Sequence, residues 1–536
     1  MTRSINQGPA EAIVSQDGEG VGDIGEYHKL TDDARSAITH LCEKGECTIE
    51  DLAQHLKATT GHTRRLLHDA IEHHLVRERI TDAGGIVLSA RHAITALHAG
   101  AAKIQDKGVS NLKSTFLSGV GRYILTSAGA IALAYLTQIF LARWLGPKYF
   151  GYYSMAATVG ILLSMLGSLG FPMSMGRFLP QYLGEKSYGY YKGMFSYTTR
   201  MALLTSALLC AVAFPFLTFT GMPSDEVHVM WLALALVPLS ALGDVVGPTL
   251  KSQKLWLETF LPKMLLAPAL LLASAWVMHQ RLGDLTAGHM MAALVFATAA
   301  SVGLEWFFYK TKSLKEIKQA KALEDSRKWL HASLPTLVVM LFGVIVNRAD
   351  LILVGVIVGH HEAGIYAVAL FTAELVSLFK NAGKTVIPSI IGPLFYKKDY
   401  ESIQVLGGYL SRLAFICTLI GAGVIAVFGH QLLGIFGAEF TAGYQALLIL
   451  LVMQLLRAAS GVPGLLLIMT NKQTELVKVY SLSVVVQITL LAVLLPKHGI
   501  LGAAIATTIT EIVAIVSISS TAKKVTGLSS GLFTKG

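Results

Sequence analysis

Among the ionisable side chains that interrupt the apolar runs beyond Arg122, six stand out as candidates: Asp244, Arg348, Asp350, Glu374, Arg457 and Glu511. A charge at bilayer depth costs about 2.5–3.5 kcal/mol on insertion scales, so each of them needs a partner or a wet cavity. Two are arginines. A guanidinium offers a planar fork of donors that matches phosphate oxygens, and in low-dielectric surroundings such a cation steadies an anion stripped of part of its water. Arg457, in the middle of the run Gly443–Thr470, is the foremost candidate for a cation facing a cavity, with Arg348 beside it in rank and Arg122 as a third candidate substrate contact. The carboxylates Asp350, Glu374 and Asp244 suit either coupling to H+ or Na+ or the neutralisation of an arginine. Arg348 and Asp350 stand two residues apart, roughly 200° around a helix, so both cannot face one cavity. One is expected to line it while the other bonds a neighbouring helix.

No constellation for covalent chemistry accompanies these charges. The sequence has no Gly-x4-Gly-Lys-Ser/Thr loop to hold a nucleotide, no His-Glu-x-x-His and no Gly-x-Ser-x-Gly, the patterns that phosphate cradles, zinc peptidases and serine hydrolases require. No cofactor is implied. Transport, driven by an ion gradient or by consumption of the moved molecule, is the class of chemistry left.

The elements that must position the charges follow from hydropathy. Of the 536 residues 53% are hydrophobic and 15% charged, against about 25% charged in soluble domains. An apolar helix of roughly 20 residues matches the ~30 Å hydrocarbon core. The runs predict twelve spans near 122–142, 152–175, 197–219, 229–250, 260–278, 288–309, 332–358, 362–388, 406–428, 444–469, 476–495 and 500–521. With the N-terminus inside, the cytoplasmic loops hold Lys251, Lys254, Lys263, the basic run Lys310 to Lys328, Lys380, Lys384, Lys397, Lys398, Lys523 and Lys524. The outer loops hold mainly Arg143, Lys148, Arg281 and Lys497, and a bias of roughly 24 to 4 orients both termini to the cytoplasm of a multi-pass protein in the cytoplasmic membrane. The fold class expected is an all-α membrane bundle with lobes at 121–310 and 330–523, joined by a basic cytoplasmic linker at 311–329 and closed by a tail at 524–536. Anionic membrane lipids are expected against the lysines of a juxtamembrane linker at 101–120.

Ahead of the membrane part the composition changes. Residues 1–25 read as a disordered tail, rich in Gly, Ser and acidic residues. Residues 26–100 read as a small cytoplasmic α+β domain. Helices are expected at 31–44, from Thr48, and at 62–75, followed by a hairpin of Val76–Ile80 and Ile86–Leu88. That order resembles a winged helix, whose third helix would present His62, Thr63, Arg64 and Arg65 to nucleic acid. Residues 1–110 carry 12 Lys/Arg and 16 Asp/Glu, and an acidic domain is a poor match for a phosphate backbone. Nucleic acid is therefore not the expected partner, although Arg64 and Arg65 mark where contact would fall.

The membrane part repeats itself. Gly146-Pro-Lys-Tyr-Phe-Gly151-Tyr-Tyr153 follows the first run and Gly359-His-His-Glu-Ala-Gly364-Ile-Tyr366 the seventh, both Gly-x4-Gly-x-Tyr, 213 residues apart. An even number of spans per unit makes the repeats parallel, with a cavity between them. Leu141–Tyr153 with Leu166–Phe171 and Arg177–Leu179, Asn347–Gly355 with Gly364–Tyr366, and Gly499–Ala506 together resemble the polysaccharide flippases, the O-antigen and exopolysaccharide exporters of the multidrug/oligosaccharidyl-lipid/polysaccharide flippase superfamily. The resemblance spans about 115–522. It implies a V-shaped, two-lobed bundle that moves a polyprenyl-pyrophosphate-linked oligosaccharide by alternating access, in concert with envelope polysaccharide synthesis proteins. The pyrophosphate would then be the anion that Arg348 and Arg457 meet. An ion-coupled drug or metabolite antiporter of the same superfamily and a membrane-tethered winged-helix regulator are the alternatives.

Overall fold

The computed structural model describes residues 92–219, 223–377, 400–461 and 473–526, with the short stretches 46–48, 76–80 and 86–90 and a few isolated positions besides. The chain divides into two compact units, Met1–Ser114 and Thr115–Gly536.

In the first unit, β1 (Glu46–Thr48), β2 (Val76–Ile80) and β3 (Ile86–Ala90) form an antiparallel sheet in the order β1-β3-β2. Arg79 faces Val87 and Glu78 faces Leu88 across the β2–β3 hairpin. β2 and β3 coincide with the expected hairpin, whereas Thr48, expected to open a helix, lies in the strand β1. The three expected helices, and with them Arg64 and Arg65, lie outside the described residues apart from isolated positions.

The remaining elements are helical, and the first of them begins before residue 115. They are α1 (His92–Gly167), α2 (Phe171–Gly184), α3 (Tyr188–Phe219), α4 (Ser224–Ser252), α5 (Trp256–Leu282), α6 (Ala287–Lys312), the short α7 (Lys315–Gln319), α8 (Ser326–Val358), α9 (His360–Glu374), α10 (Tyr400–Phe436), α11 (Tyr444–Ala459) and α12 (Gln473–Thr526). Nine helices among the described residues are long and apolar enough to cross a membrane, and the chain is a multi-pass membrane protein.

Two of those nine are bent into two arms, so helix count and span count differ. In α1 the bend is Gly146, at φ 67° and ψ 170°. Pro147 follows it: the residue before a proline is pushed out of the α region, and proline itself opens the next arm, where no N–H is needed. In α12 the bend is Gly499, at φ 54°. The expected breaks between the first and second and between the eleventh and twelfth spans fall at these glycines.

Other expectations are corrected. The second span, expected to run unbroken over 152–175, stops at Gly167; Leu169 and Gly170 both take positive φ before α2 begins. The third starts at Tyr188, earlier than 197. Lys263, expected in a cytoplasmic loop, lies in α5, within a π-helical turn at Pro262–Leu266. A second π-turn, Val354–Val358, ends α8.

The core is uneven along the bundle. At the end bearing Gly146 and Gly359, a single apolar cluster runs through both halves, from Phe150 and Tyr153 to Tyr366, Phe436 and Phe440. At the opposite end the clusters are separate. One gathers α2, α3 and α4 around Phe171 and Tyr191 and takes in Trp329 from the start of α8, and another holds Leu467, Leu476 and Ile518. The first part of α8 packs against α2, with Trp329 Nε1 donating to the Tyr182 hydroxyl at 3.0 Å and Ser333 bonded to Ser174 at 2.8 Å.

Candidate functional site

The second half of the bundle gathers four of the six candidate charges of the sequence into one neighbourhood and a fifth, Asp350, beside it. Arg348 on α8 reaches Glu374 at the end of α9, 2.9 Å away. Arg457 on α11 donates to Glu511 on the second arm of α12 at 2.7 Å and to Asn347 Oδ1 at 2.5 Å. Asn347 and Arg348 are adjacent, so consecutive residues of α8 serve the two ion pairs. Glu374 and Asp350 lie close enough to act on the Arg457 guanidinium as well.

The two pairs differ in access. The side chains of Arg348 and Glu374 are 29% and 38% exposed, those of Arg457 and Glu511 14% each. Of the two, Arg348–Glu374 is the more exposed pair. Arg457, expected as the foremost cavity cation, is held on two sides by protein.

Asp350 faces away from both. Its side chain is fully buried; Oδ1 accepts the Leu351 N–H at 2.8 Å, and Oδ2 accepts the Tyr366 hydroxyl at 2.7 Å and the Thr507 hydroxyl at 3.1 Å. Gln487 in turn donates to Thr507 at 3.1 Å. The three segments that carry the family resemblance in this half, Asn347–Gly355, Gly364–Tyr366 and the helix arm following Gly499, thus meet on one carboxyl. Removing a buried acceptor strands its donors, at about 1–3 kcal/mol for each group left unsatisfied. Asp350→Ala is therefore expected to lower the thermal midpoint of the detergent-solubilised protein far more than Tyr366→Phe, which removes one hydrogen bond and leaves the other two. Equal midpoints for the two variants would contradict this reading.

The first half is not a copy of the second. At the repeat offset of 213 residues, Arg348 and Asp350 correspond to Tyr135 and Thr137. Tyr135 is bonded to Thr372 of α9 at 3.1 Å, and Thr137 is buried and bonded to backbone carbonyls of Leu133 and Pro268. The charges of the first half lie elsewhere: Asp244 on α4 stands 3.7 Å from Lys263 on α5. Arg122 lies in α1, among residues whose side chains are not described.

The repeated motifs themselves touch. A Cβ on Gly151 would overlap the His360 carbonyl oxygen and lie 2.9 Å from the Gly364 nitrogen; a Cβ on Gly364 would overlap the Pro147 carbonyl oxygen and lie 3.1 Å from the Gly151 nitrogen. The contact is reciprocal, each glycine meeting the other's motif, as a two-fold relation between the repeats demands. Gly146 and Gly359, the first glycines of the motifs, both take positive φ, 67° and 127°. Beside this crossing His360 stacks on Tyr152 with ring centroids 3.8 Å apart, Tyr152 donates to Glu226, and His360 Nε2 lies 3.5 Å from Glu226. Burial pulls the His360 imidazole below its usual value, against the opposing pull of Glu226.

Sequence reading missed Glu226, Lys263 and Glu305 as site residues, since each sits within two or three turns of a span's end, where a charge needs no special explanation. Tyr366 was visible as a motif residue but not as the donor to Asp350. The π-turn that holds Lys263 leaves no periodic signal over five residues.

Three comparisons place this arrangement among known proteins. The family model described as polysaccharide biosynthesis protein matches residues 118–391. A probable low-salt glycan biosynthesis flippase of Haloferax volcanii is 27% identical over 224 residues, 40% of this chain and 46% of that protein. The succinoglycan biosynthesis transport protein of Rhizobium meliloti is 28% identical over 131 residues, 24% of this chain and 25% of that protein. The chain thus spans under half the length of either curated relative. Among solved structures, an inward-facing multidrug resistance MATE family transporter of the MOP superfamily superposes with a TM-score of 0.58 at 14% identity, covering 73% of this chain and 99% of the other. An outward-facing structure of such a transporter gives 0.56 at 15% identity, covering 78% and 99%. At these identities the likeness is one of fold.

Proposed function

Because the chain belongs to the polysaccharide biosynthesis protein family, we propose that it moves a polyprenyl-pyrophosphate-linked oligosaccharide across the cytoplasmic membrane by alternating access, for surface polysaccharide synthesis. The observation that carries the reading is the Arg348–Glu374 pair: an arginine on a spanning helix, neutralised by a carboxylate and about a third exposed. A pyrophosphate can replace Glu374 on the guanidinium fork and leave the carboxylate to water or to a cation. Arg457, Glu511 and Asn347 hold the helices on which this exchange occurs, and Arg122 is a further phosphate contact on the way in. Glu374, once displaced, is the carboxylate through which H+ or Na+ would couple in this half. The relatives' names, a glycan biosynthesis flippase and a succinoglycan transport protein, agree with this substrate class.

The wider reading has twelve spans, with the two arms of α1 and of α12 counted separately and the eighth and tenth completed by residues outside the described ones. The basic loops and both termini face the cytoplasm, and the first unit is a cytoplasmic winged-helix domain. In that orientation the end with the joint core is the outer one, closed by the Gly151–Gly364 crossing. The end with separate cores faces the cytoplasm, where the lipid-linked sugar is made.

The test is the fate of lipid-linked sugars in cells lacking the protein. Intermediates stranded in the cytoplasmic leaflet with surface polymer lost are expected, and mass spectrometry of the stranded lipid identifies the sugar. Normal lipid-linked sugars and intact polymer would overturn the reading in favour of a drug or metabolite antiporter.

A further inference from the structure

The first half of the bundle holds an acid that nothing so far accounts for. Glu305 on α6 is fully buried, and neither of its carboxylate oxygens has a hydrogen-bond partner among the described residues. Ser301, one turn earlier on the same helix face, is likewise buried with an unpartnered hydroxyl. Native proteins rarely leave buried polar groups unsatisfied, and such groups mark a catalytic role or a bound water or ion.

Two lysines stand near Glu305, and one of them occupies a shaped seat. The charged groups near Glu305 are Asp244 and Lys251 from α4 and Lys263 from α5; on α6 itself, Lys310 and Lys312 follow toward the helix end, Lys312 being occupied by Glu258 of α5 at 2.7 Å. The Lys263 ammonium donates to the Gly243 carbonyl at 3.1 Å and sits 3.7 Å from Asp244. It fits there because α4 carries glycine at 243 and again one turn later at 247: a Cβ at these positions would lie 3.4 Å and 3.7 Å from the ammonium nitrogen. A Cβ on Gly243 would also lie 3.0 Å from Val302 of α6, so the notch opens onto the helix turn that bears Glu305. The π-turn at Pro262–Leu266 supplies the reach by re-aiming Lys263 out of the regular helical register, a device frequent at functional sites. Lys263 and Asp244 are 41% and 37% exposed, whereas Glu305 is sealed.

An ionised carboxylate with no hydrogen-bond partner in such surroundings costs several kcal/mol, and the neutral acid costs far less. We propose that Glu305 is a proton-binding site of the first lobe, with Lys263 as the cation that exchanges its proton. In the conformation described, Lys263 serves Asp244 and Glu305 is the neutral acid. When the lobe rearranges, Lys263 turns from Asp244 to Glu305. The Glu305 O–H bond breaks, its electron pair stays on the carboxylate beside the ammonium, and the proton leaves to the water around Asp244, which keeps its charge in solvent. One proton is released for each such turn, which couples the transport proposed above to a proton gradient. The coupling rests on that reading; the proton site does not.

The test is infrared spectroscopy of the purified full-length protein in detergent. A protonated-carboxyl band is expected at neutral pH, absent in Glu305→Gln and retained in Asp244→Asn. Lys263→Met, which removes the exchanging cation, should move the loss of that band to higher pH. Since the amide replaces a neutral acid, Glu305→Gln should fold with an unchanged thermal midpoint at neutral pH. A Glu305→Gln spectrum identical to the parent's, a marked drop in its midpoint, or an unmoved band in Lys263→Met would overturn the proposal. So would loss of the band on adding Na+ at constant pH, which would make the site one for a metal cation. None of these measurements needs a transported substrate, so they stand or fall apart from the flippase reading. In vesicles under an imposed pH gradient, the rate at which a labelled polyprenyl-pyrophosphate sugar crosses should depend less on the gradient in Glu305→Gln than in the parent.

Discussion

Gly151→Ala and Gly364→Ala are each expected to force apart the end of the bundle at which the two halves share a core, and to reduce transport at least tenfold. Each added methyl would overlap a backbone carbonyl, His360 for one and Pro147 for the other, and backbone cannot turn aside as a side-chain end can. Overpacking a tight site costs about 1–3 kcal/mol, and more where the neighbour cannot yield. A two-state equilibrium shifts tenfold for every 1.4 kcal/mol or so, provided the penalty falls on one state alone. Here it does, because the clash exists only while the two motifs are crossed. Spin labels at Lys148→Cys and His361→Cys, both exposed beside the crossing, would report a short distance in the parent and a longer one in either glycine variant. Unchanged distances with unchanged transport would show that the crossing is not the closure. The double variant is expected to be little worse than either single one, since both methyls open one contact.

Arg457→Ala is expected to damage the protein in a way that Arg348→Ala does not. Removing Arg457 leaves Glu511 mostly buried without the guanidinium that neutralises it, and breaking a buried pair from one side typically costs about 3–5 kcal/mol. Lower yield in the membrane and a lower thermal midpoint should accompany the loss of transport. Replacing both partners, Arg457→Met with Glu511→Leu, should restore most of the stability, because apolar residues in place of a buried pair are commonly neutral or better. Arg348→Ala releases a carboxylate already 38% exposed, so its midpoint should barely move while transport is lost. A pair of variants with equal midpoints would erase the distinction between the scaffold pair and the substrate pair. Transport that survives Arg348→Ala would remove Arg348 from the anion path.

Much of this was legible in the sequence because the bilayer restricts the choices. Lipid cannot hydrogen-bond a backbone, so a long apolar run is a helix, and its length sets the span. Intramembrane charges stand out for the same reason, and Arg348, Asp350, Glu374, Arg457 and Glu511 could be listed without any coordinates. The angle between Arg348 and Asp350 follows from helix geometry alone. Gly-x4-Gly-x-Tyr could be seen twice, and Gly-Pro at 146–147 marked a break. The sequence by itself therefore determined the class of protein, most of its helices and the residues worth testing.

Tertiary structure decided how those residues are used. Which acid neutralises Arg457 depends on a helix more than fifty residues away, and periodicity within α11 carries no trace of it. That the two repeated glycines meet each other is a property of how the halves cross; their spacing in sequence says only that they are alike. Glu305 reads as an ordinary charge near a helix end until its neighbours seal it, and Lys263 as a loop lysine until a π-turn and two glycines give it a seat. In each case the deciding quantity is access to water or to an opposite charge. That is a property of the space between helices, which one-dimensional order does not encode.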